Sequence, residues 1–296
     1  MKIRRIAVWG ILGAFGLLAA AAGNAQNKPA DGPLTQPRLY VLEGGVLASD
    51  PRRYRLTEDE VESAPLAIAA YLIVHPQGTL IWDTGAIADE ERISRESGVE
   101  QRVVRADGAE RFVTLGPALG AQLEASGHRP ADVTHLALSH YHWDHTANSN
   151  AFAHATWLVR KVERDAMFAA TPPGGARPAT YSALRTSKTL IVTADEHDVF
   201  GDGSVILKNA PGHSEGHQVL YVKLAQTGGV LLSGDLYHYP EERTLNRLPD
   251  FELDEMQTVA ARRDVDAFLA RTGAKLWIQH DLIGHRELRK APEYYD

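Results

Sequence analysis

Seven consecutive residues constrain this chain more than any others: Ser139-His140-Tyr141-His142-Trp143-Asp144-His145. Four side chains with metal-ligating atoms fall within six positions, directly after the short apolar run Val133 to Ser139. That run reads as a strand. His140 and His142 are two apart, so both point to one side of an extended continuation. Asp144 and His145 follow where a helix can begin. The pattern offers one ligand pair on the strand extension and a second pair at the turn, and two neighbouring cations fit such a set. A solvated histidine-rich loop is the bland alternative, but chance rarely assembles this spacing.

The composition narrows the chemistry further. The chain has 13 histidines and no cysteine, so any metal site is built from imidazole and carboxylate. Disulfides, thiolate zinc sites, cysteine nucleophiles and a lipoprotein anchor are all excluded. A formal net charge of −7 argues against a nucleic-acid partner.

The N-terminus carries Lys2, Arg4 and Arg5, then an uncharged apolar stretch from Ile6 to Ala22, with Gly23 and Ala25 as small residues before a cut. This layout is that of a secretory signal peptide over residues 1–25; an uncleaved membrane anchor is the alternative. The expected location is periplasmic or secreted, with no stable membrane anchor after cleavage. Residues 26–37 are polar and proline-rich and read as a flexible leader. Residues 38–296 read as a single domain.

Within that domain, apolar runs on either side of the His75-Pro76-Gln77-Gly78 turn predict a β-hairpin over 65–85. The stretch 86–112 is charged and reads as irregular. Helices are expected at 115–126, 161–169 and 254–271, the last with Asp254 as N-cap. Strands are expected at 133–139, 156–159, 188–193, 204–209, 218–224, 229–234 and 275–279. No glycine-rich dinucleotide fingerprint is present, so the mixture suggests a layered α/β domain and not a Rossmann fold.

With these motifs in view, the chain resembles the metallo-β-lactamase superfamily. Asp83-Thr84-Gly85 comes before the histidine cluster, closing the first hairpin, and Pro211-Gly212-His213, Ser233-Gly234-Asp235 and a final His280 come after it in the superfamily's order. The resemblance implies an αββα sandwich with metals at one edge. It implies that His140, His142 and His213 hold one divalent ion, that Asp144, His145 and His280 hold a second, and that Asp235 bridges them. Zinc is the default for such donors. Two ions about 3.5–4 Å apart can share a hydroxide and polarise an acyl or phosphoryl oxygen. Asp83 is expected to brace a ligand loop by hydrogen bonds. His217 reads equally as a supporting partner or as structural. His75, His128, His135, His154, His197 and His285 read as surface or satisfied polar residues.

Within the superfamily, the members that open β-lactam rings generally lack the bridging aspartate, and one class uses a cysteine ligand. The run Pro211-Gly-His-Ser-Glu-Gly-His-Gln218, with Ser139–His145 and Gln279-His280-Asp281, is most similar to the N-acyl-homoserine lactone lactonases. That likeness implies a metal-dependent hydrolase, a quorum-quenching lactonase, in which a metal-bridging hydroxide opens the ring. Asp144 would pass a proton to the leaving oxygen. The same fold acting on an organophosphate triester or a thioester is the alternative. Those lactonases carry a tyrosine three residues after the bridging aspartate; here that position is His238, flanked by Tyr237 and Tyr239. Tyr237 and His238 are both candidates for the substrate-facing donor. Met167, Phe168 and Tyr181 are candidates for an acyl pocket, or else core. The partner is a small molecule, a lactone or another ester, and a homodimer stays open.

Overall fold

The computed structural model describes residues 34–296. The signal-peptide reading of 1–25 and most of the 26–37 leader lie outside the described residues. The described residues form one compact unit, in which no helix is long and apolar enough to cross a membrane.

The first sheet contains β1 (Arg38–Leu47), β2 (Leu66–His75), β3 (Gly78–Trp82), β4 (Glu100–Val104), β5 (Glu110–Leu115), β6 (His135–Ala137), β7 (Thr156–Val159) and β8 (Thr189–Ile191). Their spatial order is β4-β5-β1-β2-β3-β6-β7-β8. The second contains β9 (Glu196–Asp198), β10 (Val205–Asn209), β11 (Gln218–Leu224), β12 (Gly228–Leu232) and β13 (Lys275–Trp277), in the order β13-β12-β11-β10-β9. The helices are α1 (Leu119–Ala125), α2 (Trp143–Thr146), α3 (Lys161–Met167), α4 (Pro240–Thr244), α5 (Glu255–Thr272) and α6 (Leu282–Glu287).

Alternation of side chains along the strands builds the layers. Leu39 and Val41 of β1 and Ala69, Tyr71 and Ile73 of β2 face the second sheet, where Leu207, Leu220, Val222 and Leu232 meet them. Their neighbours Tyr40, Leu42, Ala70 and Leu72 face outward against α1 and α3 through Leu119, Leu123 and Met167. On the far side, Val219, Tyr221 and Leu231 pack on α5 through Val265, Phe268 and Leu269. Helices therefore cover both outer faces of two apposed sheets, which is the αββα sandwich. Asp254 caps α5, accepting the Gln257 N–H at 3.0 Å.

Several expectations need correction. The stretch 86–112 is irregular only in its first half, where 86–99 hold a single 3-10 turn; from Glu100 on, β4 and β5 form an antiparallel hairpin, Gln101 and Val103 buried while Glu100 and Arg102 stay exposed. One buried face is enough for a strand at a sheet edge, and the charges on the other face mask it. Leu115 ends β5, so the helix begins only at Leu119. Strand β1 was not expected, because apolar residues buried on both faces leave no period-two signal and Gly44-Gly45 reads as a breaker. Strand β9 and helices α4 and α6 also went unread; each is three to six residues long.

Candidate metal centre

The chain ends of β3, β6, β12 and β13 and the β10–β11 loop meet at one edge of the sandwich. Beyond β6 the backbone stays extended through His142 (φ −63, ψ 152) and then turns into α2. That single bend places Asp144 and His145 on the helix while His140 and His142 remain on the extended approach. The β10–β11 loop supplies His213, the turn after β12 supplies Asp235, and the exit of β13 supplies His280.

These side chains form two groups. In one, ligand atoms of His140, His142, His213 and Asp235 all lie within 4.8 Å of one another; in the other, those of Asp144, His145 and His280 do the same. Asp235 stands between them. Its Oδ2 is 3.5 Å from His140 Nε2 and 3.3 Å from His213 Nε2. Its Oδ1 is 3.0 Å from His145 Nε2 and 3.1 Å from His280 Nε2. Asp144 lies 4.0 Å from His145 and 3.8 Å from His280. Its carboxylate is also on the wall of a cleft of about 410 Å³.

The imidazoles are held from behind through their other nitrogens. His145 Nδ1 lies 2.8 Å from Asp83, His213 Nδ1 3.0 Å from Glu252, and His280 Nδ1 2.6 Å from the Ala67 carbonyl. Such bonds fix the tautomer and leave Nε2 with a lone pair facing inward. Asp83, in the left-handed region at φ 55, also accepts from Ser139 N–H at 2.6 Å, Ser139 Oγ at 2.9 Å and the Gln279 amide at 2.7 Å. It touches no inward-facing atom and acts as a brace for the loop, as the sequence suggested. His217 has the same supporting character, its Nε2 accepting the Asp235 backbone N–H at 2.9 Å. Gly234, at φ +50, is required there: a Cβ would come within 2.6 Å of His217 Nε2. Gly175, at φ +79, lets its loop pass against His142, whose Cδ2 a Cβ would approach to 2.4 Å.

The donor set fits divalent cations. His140 Nε2, His145 Nε2 and Asp235 Oδ1 are buried without a hydrogen-bond partner among the described residues. Buried polar atoms are costly when unpaired, so their convergence marks a place for a ligand. Burial pushes the His140 and His142 imidazoles well below their ordinary range, keeping them neutral. Burial opposes the Asp235 charge, but the histidines around it, His145 and His280 foremost, hold it well below the carboxylate range. For His145 and His213 burial again opposes the charge, but Asp235 and Asp83 draw the first well above its ordinary range, and Glu252 and Asp235 draw the second up to about 10. Imidazoles ringed around a shared carboxylate are the donor chemistry of a zinc-type site.

Of the two candidate substrate-facing donors, only His238 lines the cleft. Its Nε2 is 3.2 Å from Asp235 Oδ2, and its ring stacks on His280 with an interplanar angle of 1°. Tyr237 is withdrawn: it is buried in the α5 cluster with the Arg262 guanidinium 4.2 Å over its ring. Tyr239 is also turned away, its hydroxyl donating to the Ala64 carbonyl at 2.5 Å. The pleat that sends 238 one way sends 237 and 239 the other. Met167 and Tyr181 are likewise core, with Phe168 packed against them, and none of the three reaches the cleft.

Three acids had no sequence signal. Glu163 joins the two ligand loops, accepting from Tyr141 N–H at 2.8 Å, Ser214 Oγ at 2.8 Å and Gly216 N–H at 2.7 Å. Glu252 backs His213 and takes a bond from the Thr258 hydroxyl. Glu242 accepts the His238 N–H at 3.1 Å and pairs with Arg262 at 2.7 Å. Glu163 is an ordinary helix acid, Glu242 follows Glu241, and Glu252 lies in the acid-rich run 250–255, so nothing local singles any of them out.

Comparison with known proteins places this geometry. The family model described as the metallo-beta-lactamase superfamily matches residues 64–276. The N-acyl homoserine lactonase AttM of Azorhizobium caulinodans is 29% identical over 274 residues, covering 89% of this chain and 100% of that protein. The structure of a Bacillus thuringiensis AiiA variant with N-decanoyl-L-homoserine bound at its active site superposes with a TM-score of 0.72 at 22% identity, covering 88% of this chain and 100% of that one. AidC, a dizinc quorum-quenching lactonase in complex with a product, gives a TM-score of 0.62 at 18% identity, covering 83% of this chain and 88% of that one.

Proposed function

Because this chain belongs to the metallo-beta-lactamase superfamily, we propose that it is a dinuclear zinc hydrolase that opens the ring of N-acyl-homoserine lactones. The observation that carries this reading is the position of Asp235, with one oxygen toward each ligand group. A structural site closes with four ligands and has no use for a shared carboxylate beside an open cleft. The names of AttM and of the lactone-product complexes of AiiA and AidC support the substrate class.

His140, His142, His213 and Asp235 would hold one cation, and Asp144, His145, His280 and Asp235 the other. Bound there, the two cations supply Lewis-acid polarisation of an acyl oxygen and acidify water to near neutrality. The residues supply the rest. Asp235 and the braced imidazoles keep the donors in place without rearrangement. The Asp144 carboxylate, open to the cleft, takes up a proton at Oδ and returns it to the leaving ring oxygen. His238, beside Asp235 on the same wall, offers its Nε2–H to the lactone carbonyl in place of the tyrosine of related lactonases. We further propose that residues 1–25 export the protein to the periplasm or beyond.

The test is a rate comparison on metal-loaded mature protein with acyl-homoserine lactones, a phosphotriester and a thioester, alongside metal analysis. Lactone turnover with about two metal equivalents is expected. Absence of lactone turnover at full metal loading would sink the lactonase reading. N-terminal sequencing of the exported protein tests the cut after Ala25.

A further inference from the structure

Arg53, Arg105 and Arg111 line the same cleft as the two ligand groups. Arg53 comes from the 3-10 turn Pro51–Tyr54, Arg105 from the tip of the β4–β5 hairpin and Arg111 from β5. A second cavity of about 470 Å³ adjoins, and Leu47, Arg53, Tyr54 and Arg111 line both. Arg53 and Arg111 therefore flank the passage from the metal centre to the outer cavity.

The ion pairs in this region leave two of the three arginines out. Arg105 is paired with Asp107. The acids of the outer cavity, Asp50 and Glu110, are taken by Arg52 and Arg102. Arg53 lies with its Cζ 4.5 Å over the Phe251 ring, and Arg111 donates to the Glu110 carbonyl at 2.8 Å. Neither has a carboxylate partner among the described residues. Of the acids of the cleft, Asp144 and Asp235 face the ligand histidines, Glu252 backs His213, and Glu215 lies beside Tyr141. Burial, together with the charges of Arg105 and Arg53, lowers Arg111 from its ordinary value, against a smaller upward pull from Tyr54 and Asp144. In a chain of net charge −7, two unpaired and partly buried guanidinium groups face one passage. A plain alkyl chain makes no use of them, whereas a carboxylate matches their forked donors.

Resting on the lactonase reading of the cleft, we propose that the preferred substrate carries a carboxylate on the arm remote from its ring, held by Arg53 and Arg111 at this passage. The ring occupies the metal centre, and the arm runs past Leu47 and Tyr54.

Two matched pairs of probes test this on the metal-loaded protein. The first is N-octanoyl-homoserine lactone and its counterpart with carboxylate in place of the terminal methyl. The second, free of any hydrolysis, is octanoate and suberate measured by calorimetry. Each acid has one carboxylate for the metal centre, and only suberate has another for the arginines. Suberate is expected to bind about tenfold more tightly than octanoate, and the carboxylated lactone to show a similar advantage in KM. In the Arg53→Met/Arg111→Met double variant both ratios fall to about one. A suberate advantage under about threefold in the wild type, absence of binding, or an advantage that survives in the double variant overturns the proposal. The wild-type ratio decides the matter even where the variant is poorly folded. If neither lactone is turned over, the lactonase reading fails, while the acid pair still decides the arginine assignment.

Discussion

The backbone N–H of Asp235 donates to Nε2 of His217 at 2.9 Å, while His217 Nδ1 lies 2.9 Å from the Ala210 carbonyl. Nδ1 is thus the donor and Nε2 the acceptor, which requires a neutral ring. Burial, followed by the charge of His213, pushes His217 down to about 3 and keeps it so. The residue between the two metal groups is therefore positioned by a histidine that touches neither.

Replacing His217 with Ala removes that anchor while leaving all seven proposed ligands. Metal affinity and kcat/KM are each expected to fall by roughly 10–100-fold, the range for supporting partners of metal ligands. Chelator competition and steady-state rates check this. Unchanged affinity would mean that Asp235 is fixed by other contacts.

Asp235→Ala acts on the bridge itself. Loss of about one metal equivalent and of nearly all lactone turnover is expected, with the fold preserved by circular dichroism. Two equivalents retained at full activity would refute the bridging role.

Asp83 collects four donors in a fully buried setting. Asp83→Asn turns an amide N–H₂ toward groups that themselves donate. We expect a loss of about 3 kcal/mol of stability, with weaker metal binding at the His145 group. Denaturant unfolding of the metal-free protein separates the stability effect from the binding effect.

Gly175→Ala forces a Cβ against His142 and strains a backbone at φ +79. The expected result is a fall of about tenfold or more in affinity for the metal bound by His140, His142 and His213, with little change in overall secondary structure. Gly174→Ala, with open space around its Cβ, shows the smaller loss.

His285 contributes, with the depressed site histidines, to the pH dependence of stability. It is neither a surface nor a satisfied residue: it is buried, and neither ring nitrogen has a partner among the described residues. Burial, then the charges of Lys290 and His280, lowers it to about 3. An unfolded histidine takes up its proton near pH 6.5, so the unfolded state binds more protons below that value. The stability tied to a neutral His285 is complete above pH 6.5 and is lost as pH falls from there toward 3. The slope approaches about 1.4 kcal/mol per pH unit within that window. In His285→Phe, urea unfolding of the metal-free protein between pH 7 and 5 should show a flatter profile than the wild type. Identical profiles would exclude a contribution from His285.

The parts of the site that could be read from the chain are those written in short spacings. His140, His142, Asp144 and His145 declare themselves because an extended segment followed by a helical turn can bring only certain offsets to one side. The hairpin β2–β3 and helix α5 are legible for the same reason, since periodicity and a capping aspartate are local. The edge hairpin β4–β5 was hidden because charges on its exposed face mask a strand.

By itself the sequence determined the kind of donor atoms available, imidazole and carboxylate without thiolate, and the strand-to-turn segment that carries four of them. Only the tertiary structure decided what holds those donors. His280 rests on Ala67 across 213 positions and Asp83 on Gln279 across 196. It also decided that His238 and not Tyr237 faces the cleft, and that Arg53 and Arg111 border one passage. The physical reason is that such partners are chosen by the packing of distant segments. A buried donor takes whichever acceptor the fold delivers within about 3 Å, and no local pattern encodes that delivery.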